Sequence, residues 1–353
     1  MTFISTPSRY SMVAILVTTS LMSGCDIDAP FNIKVPVAFA GEEEHSIWLL
    51  QKTHAATFVS QATGLSSAVE KACSAGSLDT TEVKSAWVDT MKAWMPLQGI
   101  ETSNPAAASL NWQIQFYLDK KNTTGRKITA LLKSEGPYSA EALAKQSVSV
   151  QGVGALEWLI YEPKTTGDTE NRCALARAVS QRLMQSAKGL SQAWENDPWK
   201  DQSEKALNAA SVSMLAGQLD FVMKKLSLPM GKPGYPKPFQ AEAWRSKVSL
   251  TLIKDNVAAM YALYLTDLDV VLRAKQKTEL ADRLTKHWQD TVSSVPSGDA
   301  LKPLLDTPEN YRSLIGLSNN LEYLKLAQRW VWWLGLIRQT ETRSWLHPLT
   351  ASA

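Results

Sequence analysis

One carboxylate stands inside an apolar run. In Val148–Pro163 (VSVQGVGALEWLIYEP), Glu157 is surrounded by Ala155, Leu156, Trp158, Leu159 and Ile160. A carboxylate taken into such surroundings needs a donor or a cation, because an unpaired buried charge is costly. It can then accept hydrogen bonds from a ligand or fix a basic partner. Gly152 and Gly154 precede it and allow a ligand or a neighbouring helix to approach closely. Pro163 closes the run.

A candidate partner lies further along. Arg245, Ser249, Leu252 and Asn256 recur at helical spacing and share one face of a helix. Val248, Ile253, Val257, Met260 and Tyr264 make their surroundings apolar, so the polar stripe is expected to run into the interior. There Arg245 can meet Glu157 in a bidentate contact. Two readings stand side by side: a ligand pocket, or a buried network or surface face with no ligand.

Other chemistry finds little support. The four histidines, His45, His54, His287 and His347, fall in neither H-x-x-E nor H-E-x-x-H spacing. His45 beside Glu42–Glu44 reads as a solvated acidic helix start. Neither a metal site nor a metallopeptidase site is assigned, and no residue is assigned as catalytic. There is no G-x-S-x-G, no phosphate-binding glycine loop and no C-x-x-C-H. A net charge of +3 with interspersed signs gives no footprint for nucleic acid.

The N-terminus carries an address. Arg9, the apolar stretch 11–22 and then Ser23-Gly24-Cys25 read as a bacterial lipoprotein signal cleaved before a lipidated Cys25. An ordinary signal peptide cut nearby is the alternative. Residues 1–24 are the signal and 25–41, with Pro30 and Pro36, a tether to the membrane. The chain is therefore expected at the periplasmic side of the bacterial envelope. Asp26 after the cysteine favours the inner membrane. In that compartment Cys73 and Cys173 read as a disulfide, with two buried thiols as the alternative. Closing such a loop stabilises a fold by roughly 4–5 kcal/mol on the loop-entropy model.

The elements that must position these residues are all helical. Glu42–Cys73, a helix capped by Asp79 or Thr80, a third opened by Asn104-Pro105 and carrying Leu110, Ile114, Tyr117 and Leu118, and a long Asn171–Glu195 precede the break at Asn196–Pro198. Short helices are expected near 128–132 and 139–145. After the break come Gln202–Leu226, an exposed proline-rich loop Leu228–Phe239, the longest helix from Gln240 to Arg273, then Thr278–Val292 and Pro308–Ile337. No segment alternates as a strand. An all-α protein of two packed four-helix-bundle-like halves follows, 42–197 and 198–349. The 13 tryptophans are expected mostly in packing. The cluster at Trp330–Trp333 is too short to cross a bilayer and reads as core, with a membrane-facing patch as the alternative.

The run G-V-G-A-L-E from Gly152 to Glu157 resembles the G-x-H-x-x-E signature of the imelysin-like proteins, once classed as M75-like metallopeptidases. Gly152 and Glu157 match; Gly154 stands where the family has histidine. Trp112–Asp119 resembles the family's aromatic-rich third helix without its proline. Trp87 and Trp94, the pair Cys73 and Cys173, and Arg245 with Ser249 fall where the family has similar residues. The resemblance implies two pseudo-repeated helical bundles and an association with iron or haem acquisition. It implies a pocket lined by Gly152, Gly154, Glu157, Arg245, Ser249 and Trp112, and an envelope partner from an iron-uptake system. Loss of the histidine implies weak or indirect metal binding, or an organic anion or partner segment as ligand. The alternative is a structural or partner-docking lipoprotein with no small ligand.

Overall fold

The computed structural model describes residues 45–100, 104–134, 136–162, 169–232 and 234–333, with side chains described to residue 327. The signal, the tether, Cys25, His347 and the Trp330–Trp333 side chains lie outside the described residues and side chains. Among the described residues the regular structure is helical, with no strand. No described helix is long and apolar enough to cross a membrane.

The first layer opens with α1 (Ser46–Ser74) and α2 (Thr81–Trp94), the latter capped by the Thr80 hydroxyl, which accepts from the Val83 amide at 3.2 Å. The expected third helix is broken. Asn104 caps a single turn, α3 (Pro105–Ala108); α4 (Asn111–Ile114) adds another; the chain then runs extended from Gln115. The Gln115 side chain explains the break. It is taken up by Trp94, Gln98 and Glu242, contacts that local propensity does not encode. Next come α5 (Thr123–Lys133), α6 (Ala140–Ala144), α7 (Gly152–Tyr161) and α8 (Thr169–Ala193). Helix α8 lies along α1, and Cys73 is bonded to Cys173 across them with Cα atoms 5.4 Å apart.

The second layer begins with α9 (Glu204–Met230), whose N-terminal amide at Ala206 is capped by Ser203. The helix runs through Pro229 in its last turn, so the proline-rich loop is shorter than expected and starts at Gly231. The single helix expected from Gln240 does not form either. A 3₁₀ turn at Pro238–Gln240 leads into turns in which Ala243 and Lys247 adopt positive φ of 53° and 62°. Helix α10 starts only at Ser249 and runs to Leu263. Two of its free N-terminal amides, Leu250 and Thr251, donate to the Asp299 carbonyl. A π-helical turn, Tyr264–Leu268, joins it to α11 (Asp269–Ala274); α12 (Thr278–Ser293) and α13 (Pro308–Trp333) complete the layer.

Each layer has its own aromatic core. Trp87, Trp94 and Trp194 are fully buried in the first and Trp288 in the second. The expected packing role holds for these rings, whereas Trp112 is 56% exposed. His45 is not merely a solvated helix start. Its Nδ1 lies 2.7 Å from the Asp197 carboxylate, tying the start of α1 to the turn after α8.

The layers meet through polar contacts as well as apolar ones. Gln218 of α9 donates to the Pro96 carbonyl at 2.6 Å. Lys225 of α9, fully buried, reaches Gln98, the Asn256 side chain of α10 at 2.7 Å and Glu242 at 2.6 Å. Asn256 donates in turn to the Met95 carbonyl at 2.8 Å.

Candidate functional site

Helix α7 starts where the backbone permits it. Gly152 has φ of +70°, and a Cβ there would collide with the carbonyl oxygens of Gln113 and Ile114. Glycine thus lets α7 lie directly against α4 and aims the helix. Gly154, one residue past Val153, is different: a Cβ there would have no neighbour within 4 Å. It opens onto a cavity of about 550 Å³.

Glu157 is one helical turn further on and borders the same cavity. Its Oε1 accepts three hydrogen bonds: from the Arg245 amide at 3.1 Å, the Ser246 amide at 2.9 Å and the Ser246 hydroxyl at 2.9 Å. The positive-φ residues Ala243 and Lys247 bracket these donors and point them at one oxygen. This is an anion-holding turn occupied by the protein's own carboxylate. Among the described residues Oε2 receives no hydrogen bond. Burial pushes the Glu157 carboxyl above its ordinary value, and the Ser246 and Arg245 donors oppose that rise. Burial, and after it the Glu157 charge, raises the nearby Tyr161 hydroxyl to about 12.

The partner of Glu157 is therefore the turn, not the expected guanidinium. Arg245 is not on the helix, and its side chain turns away. Nε lies 2.6 Å from Glu162, Nη2 lies 3.0 Å from the Asn122 oxygen, and the guanidinium stacks on Trp244 at 4.4 Å. Ser249 is buried at the first residue of α10 and does not border the cavity. Ser246, three residues earlier, is the serine that bonds to Glu157. The residues before 249 lie in turns because α10 starts only at Ser249. Trp112 packs against Phe116 at 6.0 Å and borders a smaller neighbouring hollow of about 40 Å³.

A second buried carboxylate borders the cavity and escaped the sequence reading. Glu242 Oε1 accepts from Gln98 at 2.9 Å and Gln115 at 2.6 Å, while Oε2 pairs with Lys225. Burial lowers the Lys225 ammonium from its ordinary value, and Glu242 opposes this. Tyr117 anchors the same wall through its hydroxyl to the Gln240 carbonyl at 3.0 Å. Burial and then the Glu242 charge raise that hydroxyl. Asp119 closes the carboxylate set. Burial alone would raise it, but the Thr123 and Thr124 amides, at 2.6 and 2.7 Å, hold it below its ordinary value.

A metal ion does not fit this arrangement. Among the described residues no group of three or more His, Cys, Asp and Glu is placed to hold one. Gly154 contributes no ligand, and Glu157 spends one oxygen on three internal donors.

An all-α, two-layer protein with a carboxylate-bordered cavity between a broken helix and a turn is the class that fold and site define. The family model described as Imelysin, peptidase M75, matches residues 51–327, and the chain belongs to the imelysin family. Two solved structures share the fold at low identity. An imelysin-like protein from Psychrobacter arcticum superposes with a TM-score of 0.62 at 20% identity, covering 78% of this chain and 88% of that one. A provisionally named iron-regulated protein A precursor from Parabacteroides distasonis gives 0.62 at 16% identity, covering 85% and 96%. No curated protein matches the chain.

Proposed function

We propose that this chain is a non-enzymatic binding protein on the periplasmic side of the bacterial envelope, anchored through a lipidated Cys25, and that it serves iron or haem acquisition. The observation that carries the binding role is the cavity beside Gly154 and Glu157. It has the volume of a site for a cofactor-sized ligand. Its glycine leaves open space where a side chain would fill it. The iron link rests on family membership and on the name of the Parabacteroides relative. The envelope address rests on the sequence Ser23-Gly24-Cys25-Asp26, and an iron-uptake protein of the envelope is the partner that fits it.

The test is the thermal midpoint of the full-length protein with ferrous iron, ferric iron, zinc and haem. A ligand that binds only the folded state at a hundred times its Kd adds roughly 2.7 kcal/mol. An upward shift with haem, reduced in Glu157→Ala, is the expected result, with the three bare cations as controls. No shift with any of the four would overturn the iron link.

A further inference from the structure

The charges around the cavity are not equivalent. Four carboxylates border it, and each is already engaged: Asp119 by two amides, Glu157 by the Arg245–Ser246 turn, Glu162 by the Arg245 side chain and Glu242 by Lys225 and two carboxamides. The cations divide differently. Arg245 is paired with Glu162, but the ammonium groups of Lys120 and Lys237, both exposed residues, have no ion-pair or hydrogen-bond partner among the described residues, although the Lys237 amide donates to the Pro229 carbonyl. They come from the two walls, one after the extended segment at Gln115 and one before the turn at Ala243. The lining also carries aromatic and apolar side chains, Trp87, Met91, Phe116, Tyr117, Phe239 and Trp244, beside the neutral polar Gln115, Asn122, Thr124 and Gln240. Phe239 stands at the edge, 67% exposed and edge-on to Trp244 at 4.9 Å.

From this we infer that the cavity takes an amphipathic organic anion rather than a bare cation. The ligand has an aromatic or polycyclic body held among the rings and carboxylate or sulfonate groups met by Lys120 and Lys237. The free ammonium groups supply charge-assisted hydrogen bonds to the anion. The rings supply apolar area and preferred stacking geometry. The inference rests on the ligand-binding reading of the cavity and specifies its ligand class.

Two fluorescent probes with nearly the same body separate charge from shape. 8-Anilinonaphthalene-1-sulfonate is anionic; N-phenyl-1-naphthylamine is neutral. Each is titrated into the full-length protein, into Lys120→Gln/Lys237→Gln and into Gly154→Trp, which fills the cavity from α7. The expected result is one sulfonate site at least tenfold tighter than the neutral probe. That preference disappears in the double lysine variant, and both probes weaken at least tenfold in Gly154→Trp. The sulfonate affinity of the unaltered protein also falls with added salt while the neutral probe's does not, a readout that needs no variant. Equal affinities, both lost in Gly154→Trp, would overturn the anion preference and leave the binding cavity standing. Binding of neither probe, or binding untouched by Gly154→Trp, would overturn both.

Discussion

Glu157 and Glu242 are two buried carboxylates on the wall of one cavity, and they are held in different ways. Glu242 is part of a side-chain network, with Lys225, Gln98 and Gln115 all committed to it and Asn256 sharing Lys225. Glu157 is held by a backbone turn and one hydroxyl, through one oxygen. The Lys225–Glu242 pair lies within the second layer, and Gln98 and Gln115 of the first layer bond to it, so the network joins the layers and leaves nothing for a ligand. Glu157, held through one oxygen, borders the same cavity as Gly154. The first arrangement serves the fold and the second serves a site.

That contrast sets the sizes of the expected effects. Lys225→Met leaves Glu242 buried without its cation, a loss of about 3–5 kcal/mol when one partner of a buried pair is removed. Denaturant unfolding of this variant and of Lys225→Met/Glu242→Met checks it. The double variant recovers most of the loss if the pair is structural. A Lys225→Met loss below about 1 kcal/mol would erase the distinction between the two carboxylates.

The Glu157 side is milder. Ser246→Ala removes one of three donors to Oε1 and costs about 1 kcal/mol, the size of a single hydrogen bond. It also lowers the midpoint gain from a bound ligand. Ser249→Ala leaves that ligand-dependent gain unchanged, since it is Ser246 that holds the cavity-bordering Glu157. Paired melts with and without ligand distinguish the two serines, and equal losses of the gain would return Ser249 to the site.

A third carboxylate sharpens the comparison because it has neither form of support. Asp255 of α10 has a buried oxygen with no hydrogen-bond partner. Burial raises its carboxyl to about 6, against the pull of Lys92, Lys254 and Lys225. The folded state thus binds the proton more tightly than the unfolded state, where the group titrates near 3.8. Stability from this group is present below that value and is lost as pH rises through about 6. Asp255→Asn therefore stabilises the protein at pH 8 by on the order of 2 kcal/mol more than at pH 3.5. Equal effects at both pH values would show that Asp255 is solvated.

Much of this was legible in the sequence for local reasons. Thr80, Asn104 and Ser139 cap the helices that follow them because a short oxygen at an N-cap satisfies a nearby amide. Gly152 and Glu157 stood out because a glycine pair and a lone acid break an apolar run. The misreadings share a different physics. Apolar spacing continues through Trp244–Val248, but Glu242 is drawn to Lys225 and the backbone passes through positive φ at Ala243 and Lys247. No local pattern announces a pairing 17 residues away in sequence order between Lys225 and Glu242, or one between Gln98 and Glu242. So the Ser246 contact with Glu157 has no local signal, and Arg245 reaches Glu157 through its amide while its guanidinium pairs with Glu162.

The central claim is that a ligand enters the cavity beside Gly154 and Glu157. Calorimetric titration of haem into the full-length protein and into Gly154→Trp tests it most directly. The account predicts one site in the unaltered protein and none in Gly154→Trp, with the variant's own melting midpoint preserved. Unchanged binding in Gly154→Trp would contradict the site, and no binding of haem to the unaltered protein would contradict the claim itself.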